Sequence, residues 1–364
     1  MLSKRVSSLD ASGIRKVFDL AGKLTNPVNL SIGQPDFAVP QAVQERAIQA
    51  IRQGRNQYTP TQGIEQLREA IGARLNEELG SAKRNILVTS GVSGGLVLAF
   101  LCLLDPGDEV IIPDPYFVMY KSLIELVGAR AVLVDTYPDF GAHVAEVSKA
   151  LSERTRAIVV NSPSNPTGAV YGRAELEGLA ELARQKKLTV ISDEIYNEFC
   201  YDEPYVSMAG LYERTMLLRG FSKTYGMTGW RLGYATGPSE LIEKMAMVQQ
   251  YTFVCAPNMV QWAGITALET DMSAQIQSYR RKRDLVYKGL SKAFELGKPG
   301  GAFYIFPRAP QDNGEEFVRK AIEQKVLVIP GNVFTSRNSH FRVSYAASDE
   351  LLSRAVKILC RLAG

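Results

Sequence analysis

The sequence predicts an α/β protein, with a mostly parallel seven-stranded sheet covered by helices and a smaller α+β domain beside it. Two observations lead to this prediction. Short continuous runs of Val, Ile and Leu alternate with longer amphipathic segments, which is typical of a buried parallel sheet with helical crossovers. The length of 364 residues also exceeds the usual size of one domain, so a second domain is expected.

The strands and helices follow from the periodicity of apolar residues along the chain. The seven predicted strands are Ile86–Thr89, Glu109–Ile112, Ala131–Val134, Ala157–Val160, Thr189–Ile191, Met216–Leu218 and Leu232–Ala235. The predicted covering helices include Leu96–Leu104, Phe117–Val127 and Ala174–Gln185.

After about Gln261 the pattern changes, and it predicts a different kind of domain. A long helical stretch that includes Ala274–Leu296 is followed by three apolar strand-like runs and a terminal helix from Asp349. We therefore expect a large α/β domain over residues 34–264 and a small α+β domain formed by residues 1–33 and 265–364.

The charge balance does not favour nucleic acid as a partner. The chain carries 42 basic and 38 acidic side chains, so its net charge of +4 is small. The basic run Arg280–Arg283 lies in a predicted helix between apolar residues, and we interpret it as a solvated helix face.

The sequence also predicts a soluble, cytoplasmic protein without a membrane partner. Met1–Val6 is not followed by the apolar core of a signal peptide, and the longest apolar run, Leu96–Leu104, is too short to span a bilayer. The four cysteines form no Cys-x-x-Cys pair, which indicates reduced thiols. The chain has two histidines, which are too few and too isolated to favour a zinc site or a nucleophilic triad, and no metal is predicted.

The segment Ser222–Leu232 carries the strongest chemical signal. Lys223 comes just after the apolar run Thr215–Leu218, and Arg231 follows eight residues further on. Lysine condenses with carbonyl groups to form Schiff bases, and the planar fork of arginine suits a phosphate. The alternative, a solvated surface lysine, is disfavoured because Lys223 lies among Gly and Ser residues rather than on an amphipathic helix. The pair suits a cofactor that carries an aldehyde and a phosphate.

Polar residues also follow three other predicted strands, at the edge where open α/β sheets bind ligands. Ser90–Gly95 could form an anion cradle at a helix start or a simple tight turn. Asn161–Gly168 is a rigid turn that presents a neutral amide. Asp193 could cap a helix or face a ligand cation, and Tyr196 could reach the same cleft. Together with Lys223 and Arg231, these groups indicate one binding site.

These motifs resemble those of the pyridoxal-phosphate-dependent aminotransferases of class I/II, fold type I, the group that is similar to aspartate and aromatic aminotransferases. The resemblance covers nearly the whole chain in the family's order. Its motifs are Gly33–Phe37, Asn165–Gly168, Asp193–Tyr196, Ser222–Lys223 and Phe341–Ala346.

The resemblance implies a set of contacts with pyridoxal 5'-phosphate. Lys223 would hold the cofactor as a Schiff base, and Phe117 would stack on its ring. Asn165 and Tyr196 would bind its phenolic oxygen, and Asp193 its ring nitrogen. The residues expected to bind its phosphate are Ser222, Arg231, the backbone of Val92 and Ser93, and Tyr58 from a second subunit.

The resemblance also implies a reaction and a homodimer with shared active sites. Arg342 would bind the substrate α-carboxylate, with Gly33 and Asn165 assisting. Lys223 would move the proton between the substrate Cα and the cofactor. The expected reaction is a ping-pong transfer of an amino group from an L-amino acid to a 2-oxo acid such as 2-oxoglutarate, through a pyridoxamine phosphate form.

The expected donors are apolar, aromatic or alanine-like amino acids, because a dicarboxylate would need a second cation. Ser93 is neutral, and only Arg15 adjoins the motif positions as a further cation. The aromatic residues expected near the cleft are Phe37, Tyr116, Phe117, Phe303 and Tyr304. Core packing explains several of them equally well.

Three other functions compete with an aminotransferase as explanations of this sequence. A carbon–sulfur β-lyase on the same fold would use the same cofactor residues. A nonenzymatic regulator domain normally has a DNA-binding domain ahead of this fold, and Gly33 lies too near the N-terminus for one. A dinucleotide-binding protein would need a Gly-x-Gly-x-x-Gly turn, which Ser90–Gly95 does not provide.

Overall fold

The computed structural model describes residues 24–80 and 84–364, together with Ser3, Val6, Gly13 and Val17. Within these residues the largest sheet has seven strands. They are β2 (Ile86–Thr89), β3 (Glu109–Asp114), β4 (Arg130–Asp135), β5 (Thr155–Asn161), β6 (Thr189–Asp193), β7 (Thr215–Gly220) and β8 (Gly233–Thr236). Their order in space is β2-β8-β7-β6-β5-β3-β4.

The sheet is parallel except at β8, which runs antiparallel to both β2 and β7. The carboxyl ends of the other strands therefore meet at one edge. This confirms the predicted mostly parallel seven-stranded sheet. Several strands run beyond the apolar runs because polar residues continue the ladder: Asn161 on β5 pairs with Asp193 on β6.

Helices cover both faces of the sheet. In the described residues they are α1 (Gln41–Arg52), α2 (Glu65–Leu79), α3 (Gly91–Leu103), α4 (Met119–Leu126), α5 (Val144–Ala150), α6 (Arg173–Lys186), α7 (Ser239–Gln250), α8 (Asn258–Glu269), α9 (Ser273–Leu290), α10 (Gly314–Glu323) and α11 (Asp349–Ala363). Helix α3 begins well before the predicted Leu96. Its glycines allow close packing on the sheet, since a Cβ at Gly95 would lie 2.7 Å from Leu218 Cδ2.

The helical stretch predicted after Gln261 is two helices, α8 and α9. The chain becomes extended at Thr270, and Asp271 Oδ1 accepts a hydrogen bond from Ser273 N at 2.9 Å, which starts the second helix. Helix α9 ends at Leu290, before the predicted Leu296.

Two small sheets complete the fold in the described residues. β1 (Val28–Asn29) pairs in parallel with β10 (Val326–Leu327). β12 (Phe341–Ser344) pairs antiparallel with β11 (Ile329–Pro330) on one side and β9 (Tyr304–Ile305) on the other. The division into residues 34–264 and residues 1–33 with 265–364 stays a prediction. In the described part of the chain, every helix is too short or too polar to cross a membrane.

The interpretation of Arg280–Arg283 as a solvated helix face is wrong for two of its residues. Arg283 is 1% exposed, and its Nη1 and Nη2 donate to the Asp202 carboxylate at 2.8 and 3.0 Å. Lys282 is also buried and forms an ion pair with Asp36, which accepts a hydrogen bond from Tyr279 as well. The partners lie far away in sequence, so helix periodicity could not reveal them.

A second buried ion pair lies behind the carboxyl ends of β6 and β7. Glu194 is fully buried, and its Oε2 accepts hydrogen bonds from Arg219 Nε and Nη2 at 3.0 and 2.8 Å. Ser192 and Ser207 donate to the other oxygen, each at 2.8 Å. Arg219 also bridges to Glu78 on α2 at 2.6 Å. This network joins two central strands to a covering helix directly beside Asp193.

Candidate active site

A cavity of about 720 Å³ opens at the edge where the parallel strands end. Its lining comes from the segments that follow β2, β3, β5, β6 and β7, together with the Gly33 segment, Tyr304 from β9 and Arg342 from β12. Of the predicted site residues, those that line it are Gly33, Val92, Ser93, Phe117, Asn165, Asp193, Tyr196, Ser222, Lys223, Arg231 and Arg342. The structure thus brings together residues that are up to three hundred positions apart in the sequence.

Lys223 lies just beyond β7 and points into the cavity. Its Nζ donates a hydrogen bond to the Gly33 carbonyl at 2.5 Å. Loss of water around the amine, and then the nearby cations Arg231 and Arg342, lower the pKa of Lys223 to about 8. About a tenth of this amine is therefore uncharged at pH 7, far more than for an ordinary lysine, as a nucleophile or proton carrier requires.

Asp193 is the last residue of β6 and is 3% exposed. Burial raises the pKa of its carboxyl to about 6. Tyr120 donates to its Oδ2 at 2.6 Å, and the backbone N–H of Ile195 donates to Oδ1 at 3.2 Å. No helix begins after Asp193, so the carboxylate is not a helix cap and faces the cavity.

Arg342, on β12, is a fully buried cation that lines the same cavity. Its Nη1 donates to Asn165 Oδ1 at 2.8 Å, and its Nη2 donates to the Ser31 carbonyl at 2.6 Å. The guanidinium lies between the rings of Tyr304 and Phe334, 4.5 and 4.7 Å from their centroids. Its Nε is buried and has no partner among the described residues. The arrangement holds a rigid cation that fits a carboxylate.

The N-terminus of α3 and Arg231 form an anion-binding corner. Gly91 has φ +68°, and a Cβ there would lie 2.9 Å from Arg231 Nη2, so glycine is needed for the guanidinium to approach. The backbone of Val92 and Ser93 follows in the first turn of this 13-residue helix. A helix N-terminus beside a guanidinium is a favourable site for a phosphate.

Two tyrosines form a hydrogen-bonded pair at the cavity wall. The hydroxyls of Tyr196 and Tyr304 lie 2.8 Å apart, and both side chains are buried. A Cβ at position 33 would overlap the Tyr304 hydroxyl, so only Gly33 fits beneath it. The chain segment at Gly33 can therefore pass directly over the cavity.

Several contributors were missed in the sequence. Tyr120 and Asn161 line the cavity, and Asn161 Oδ1 accepts a hydrogen bond from the Asn165 backbone at 3.0 Å. Tyr120 could have been noticed as a residue one helical turn beyond Phe117. Asn161 had a signal too, as the polar residue that ends an apolar strand.

Some predicted residues lie elsewhere. Among the aromatic residues expected near the cleft, Phe117 and Tyr304 line the cavity, whereas Phe37, Tyr116 and Phe303 do not. Tyr58 is 83% exposed and lies outside the cavity of its own chain. Arg15 lies outside the described residues.

Comparison with known proteins agrees with this architecture. Residues 25–359 match the family described as "Aminotransferase class I and II". The chain is 39% identical to a probable aspartate aminotransferase of Methanocaldococcus jannaschii, over 99% of both chains. It is 38% identical to aromatic-amino-acid aminotransferase 2 of Thermococcus litoralis, over 98% of this chain and 96% of that one. The structure of aspartate aminotransferase from Thermus thermophilus with maleate superimposes with a TM-score of 0.95 at 36% identity, covering 100% of this chain and 99% of the other.

Proposed function

This chain belongs to the class I and II aminotransferases, and we propose that the cavity at the carboxyl ends of its parallel strands is the catalytic site. The protein is a pyridoxal-phosphate-dependent enzyme that exchanges an amino group between amino acids and 2-oxo acids. The names of its relatives favour this transfer over the carbon–sulfur lyase alternative.

The charges of the cavity fit pyridoxal 5'-phosphate. Arg231, Ser222 and the first backbone amides of α3 offer positive charge and donors at one corner, which suits the phosphate. Lys223 supplies the amine for covalent attachment. The position of Val92 and Ser93 in the first turn of α3, in the same cavity lining as Arg231, is the observation that supports this assignment most directly.

The remaining polar groups suit the cofactor ring. Asp193 would bind the ring nitrogen and keep it protonated, and Asn165 and Tyr196 would bind the phenolic oxygen. Phe117 would cover one face of the ring. When bound, the cofactor supplies an electron-withdrawing ring that stabilises negative charge at the substrate Cα.

Lys223 would act as the proton carrier. Its Nζ is uncharged in a fraction of molecules near neutral pH because its pKa is lowered to about 8. An uncharged amine can accept the proton from the substrate Cα and release it at the cofactor. Arg342 would meanwhile bind the α-carboxylate, with Asn165 and the Gly33 segment beside it.

For the substrate we propose apolar, aromatic or alanine-like amino-acid donors, with 2-oxoglutarate as acceptor. This proposal rests on the cations that line the cavity. Among the described residues, the cationic side chains of the lining are Lys223, Arg231 and Arg342. Each of them already has a proposed partner in the cofactor or the α-carboxylate. Ser93 is neutral, and Leu96, Met119 and Leu123 add apolar lining.

A donor panel tests the substrate proposal. Purified holoenzyme is assayed with phenylalanine, tyrosine, alanine and aspartate against 2-oxoglutarate, and we expect aspartate to have the lowest kcat/KM of the four. Ser93→Lys should raise the relative kcat/KM for aspartate, while Ser93→Met, of similar length but without charge, should not. An aspartate preference above about tenfold in the unmodified enzyme, equal to about 1.4 kcal/mol, would show that the pocket has a further cation.

We also propose a homodimer in which Tyr58 completes the phosphate site of the neighbouring subunit. The exposure of Tyr58 supports this, because an aromatic side chain that is 83% exposed has no packing role in its own chain. Tyr251 and Met247 are also exposed apolar residues, at 85% and 50%.

A cytoplasmic location is proposed as well. The four cysteines are free thiols, as a reducing compartment would keep them. Cell fractionation with activity assays would test this, and recovery of the enzyme from a secreted fraction would refute it.

A further inference from the structure

Both oxygens of the Asp193 carboxylate are held by fixed donors. Tyr120 O–H donates to Oδ2 at 2.6 Å, which is short, and the Ile195 N–H donates to Oδ1 at 3.2 Å. A hydrogen bond to a carboxylate favours its ionised form. The orientation of Asp193 therefore depends on a side chain from α4, a different part of the chain.

Tyr120 is itself locked in place. Its side chain is fully buried, and its ring packs edge-on against Phe117, with centroids 5.7 Å apart. Burial, and then the neighbouring Asp193, raise the pKa of Tyr120 far above its ordinary value, so that the phenol stays protonated. The side chain is thus a permanent donor aimed at one oxygen.

The other groups around Asp193 also influence whether its carboxylate is charged. Burial is the main influence that disfavours its charge, and the adjacent Glu194 carboxylate acts in the same direction. Lys223 favours the charge, and the buried phenol of Tyr196 also lies near. Of the influences that favour the carboxylate, the Tyr120 hydrogen bond is the largest.

We propose that Tyr120 is a positioning residue for the cofactor: its O–H fixes Asp193 Oδ2 and keeps the carboxylate ionised, so that the proton between Asp193 and the ring nitrogen stays on the nitrogen. This inference rests on the proposed pairing of Asp193 with the ring. Without the O–H the carboxylate becomes more basic, and the shared proton shifts from the ring nitrogen to Asp193. The ring then withdraws electrons less strongly.

The test uses Tyr120→Phe, which keeps the ring and its packing but removes the donor. Holoenzyme is prepared with pyridoxal phosphate labelled with ¹⁵N in the ring, and the nitrogen chemical shift is followed from pH 6 to 9. We expect a protonated nitrogen in the unmodified enzyme and a shift towards the unprotonated value in Tyr120→Phe. Because the ring then withdraws electrons less strongly, kcat should fall about tenfold, which corresponds to about 1.4 kcal/mol.

Tyr212→Phe is the matched control. Tyr212 is also a buried tyrosine, 2% exposed, and its hydroxyl donates to the carbonyls of Ala183 and Leu188, at 3.2 and 2.7 Å. It lies outside the cavity lining. Its loss should change stability without changing the nitrogen signal or kcat.

Two outcomes separate the failure of this inference from the failure of the proposed site. If Asp193→Asn removes the protonated nitrogen signal but Tyr120→Phe keeps it together with normal kcat, the role of Tyr120 is refuted and that of Asp193 stands. If Asp193→Asn also keeps the signal, the assignment of Asp193 to the ring nitrogen is itself refuted. If Tyr120→Phe folds poorly, the nitrogen signal is measured at low temperature on the folded fraction. A protonated nitrogen there refutes the role of Tyr120, and an unprotonated one supports it.

Discussion

Lys223 Nζ and the Gly33 carbonyl oxygen are 2.5 Å apart, so the amine of the large sheet is hydrogen-bonded to the chain segment that crosses the cavity. The same segment supplies the Ser31 carbonyl to Arg342. The two cations proposed for cofactor and substrate therefore share one short stretch of backbone. If Lys223 binds the cofactor covalently, its hydrogen bond to Gly33 is lost, and the Gly33 carbonyl becomes free to accept another donor.

Lys223→Ala should abolish the visible absorbance of the bound cofactor and reduce turnover at least a thousandfold, because both covalent attachment and proton transfer need the amine. Absorbance after dialysis and a donor assay measure the two effects. Lys244→Ala, at an exposed position on α7, is the control that should behave as the unmodified enzyme. Normal turnover by Lys223→Ala would refute the site assignment as a whole.

Covalent capture of pyridoxal phosphate by the apoenzyme should depend on pH with a midpoint near the pKa of Lys223, about 8. Only the uncharged amine reacts, so the rate should rise as pH increases through 8 and then level off. An ordinary lysine would continue to gain rate towards its unperturbed pKa of about 10.4. Stopped-flow absorbance measures the profile.

Arg342→Gln provides the internal check on that profile. The guanidinium is one of the two cations that lower the pKa of Lys223, so its removal should move the midpoint to higher pH. An unchanged midpoint would mean that Arg342 does not act on the amine.

Asp193→Asn should still bind the cofactor but lose several orders of magnitude in kcat. The amide cannot hold a protonated ring nitrogen, and the loss falls mainly on the transition state in which negative charge develops at Cα. Cofactor titration and single-turnover kinetics separate the two effects. Weak cofactor binding with an unchanged single-turnover rate would instead assign Asp193 a structural role.

Mixing two inactive variants tests the shared active site. Lys223→Ala lacks its own lysine, and Tyr58→Ala lacks the residue proposed to reach the neighbour. A mixed dimer would contain one complete site, formed by Lys223 of one subunit and Tyr58 of the other. Activity should therefore rise after co-refolding at equal concentrations. If sedimentation shows an active monomer, or if mixing adds nothing, the dimer proposal is wrong.

Arg219→Met should destabilise the fold by about 3 kcal/mol, because it leaves the carboxylate of Glu194 buried without its cation. Urea unfolding measures the change. Arg173→Met removes an exposed arginine that pairs with the exposed Glu177 on α6, and its effect should be within about 1 kcal/mol. Equal effects of the two substitutions would show that the buried network contributes little.

The sequence predicted the sheet well because a strand that is buried on both faces must be apolar along its length. β2 is a clear case, with all four residues buried. The start of α3 was harder to predict, because its glycines lower helix propensity. Gly91 is needed there for the close approach of Arg231, and Gly95 for close packing on β7. Local propensity and tertiary packing oppose each other there.

The candidate site was predictable where a reactive residue ends a strand, as Asp193 does, or follows one within a few residues, as Lys223 does. The role of Tyr120 was harder to predict. Its spacing from Phe117 places it near the same site, but a buried tyrosine looks the same in sequence whether its hydroxyl is structural or meets a carboxylate. Lys282 and Arg283 show the same limit, since their partners Asp36 and Asp202 lie in other parts of the chain. Pairings between distant residues leave no periodic pattern.

The reversed direction of β8 has a consequence for how the chain can vary. Gly220 at the end of β7 and Gly233 at the start of β8 are paired, so both ends of the connection between them are fixed at the same edge of the sheet. Lys223 and Arg231 sit near those two anchors, and the connection between them is packed into the core through Tyr225 and Met227, which are 4% and 0% exposed. Gly229 is exposed and a Cβ there would meet nothing within 4 Å. A substitution at Gly229 should therefore leave the amine and the guanidinium in place, whereas a change in length would displace the buried Tyr225 and Met227.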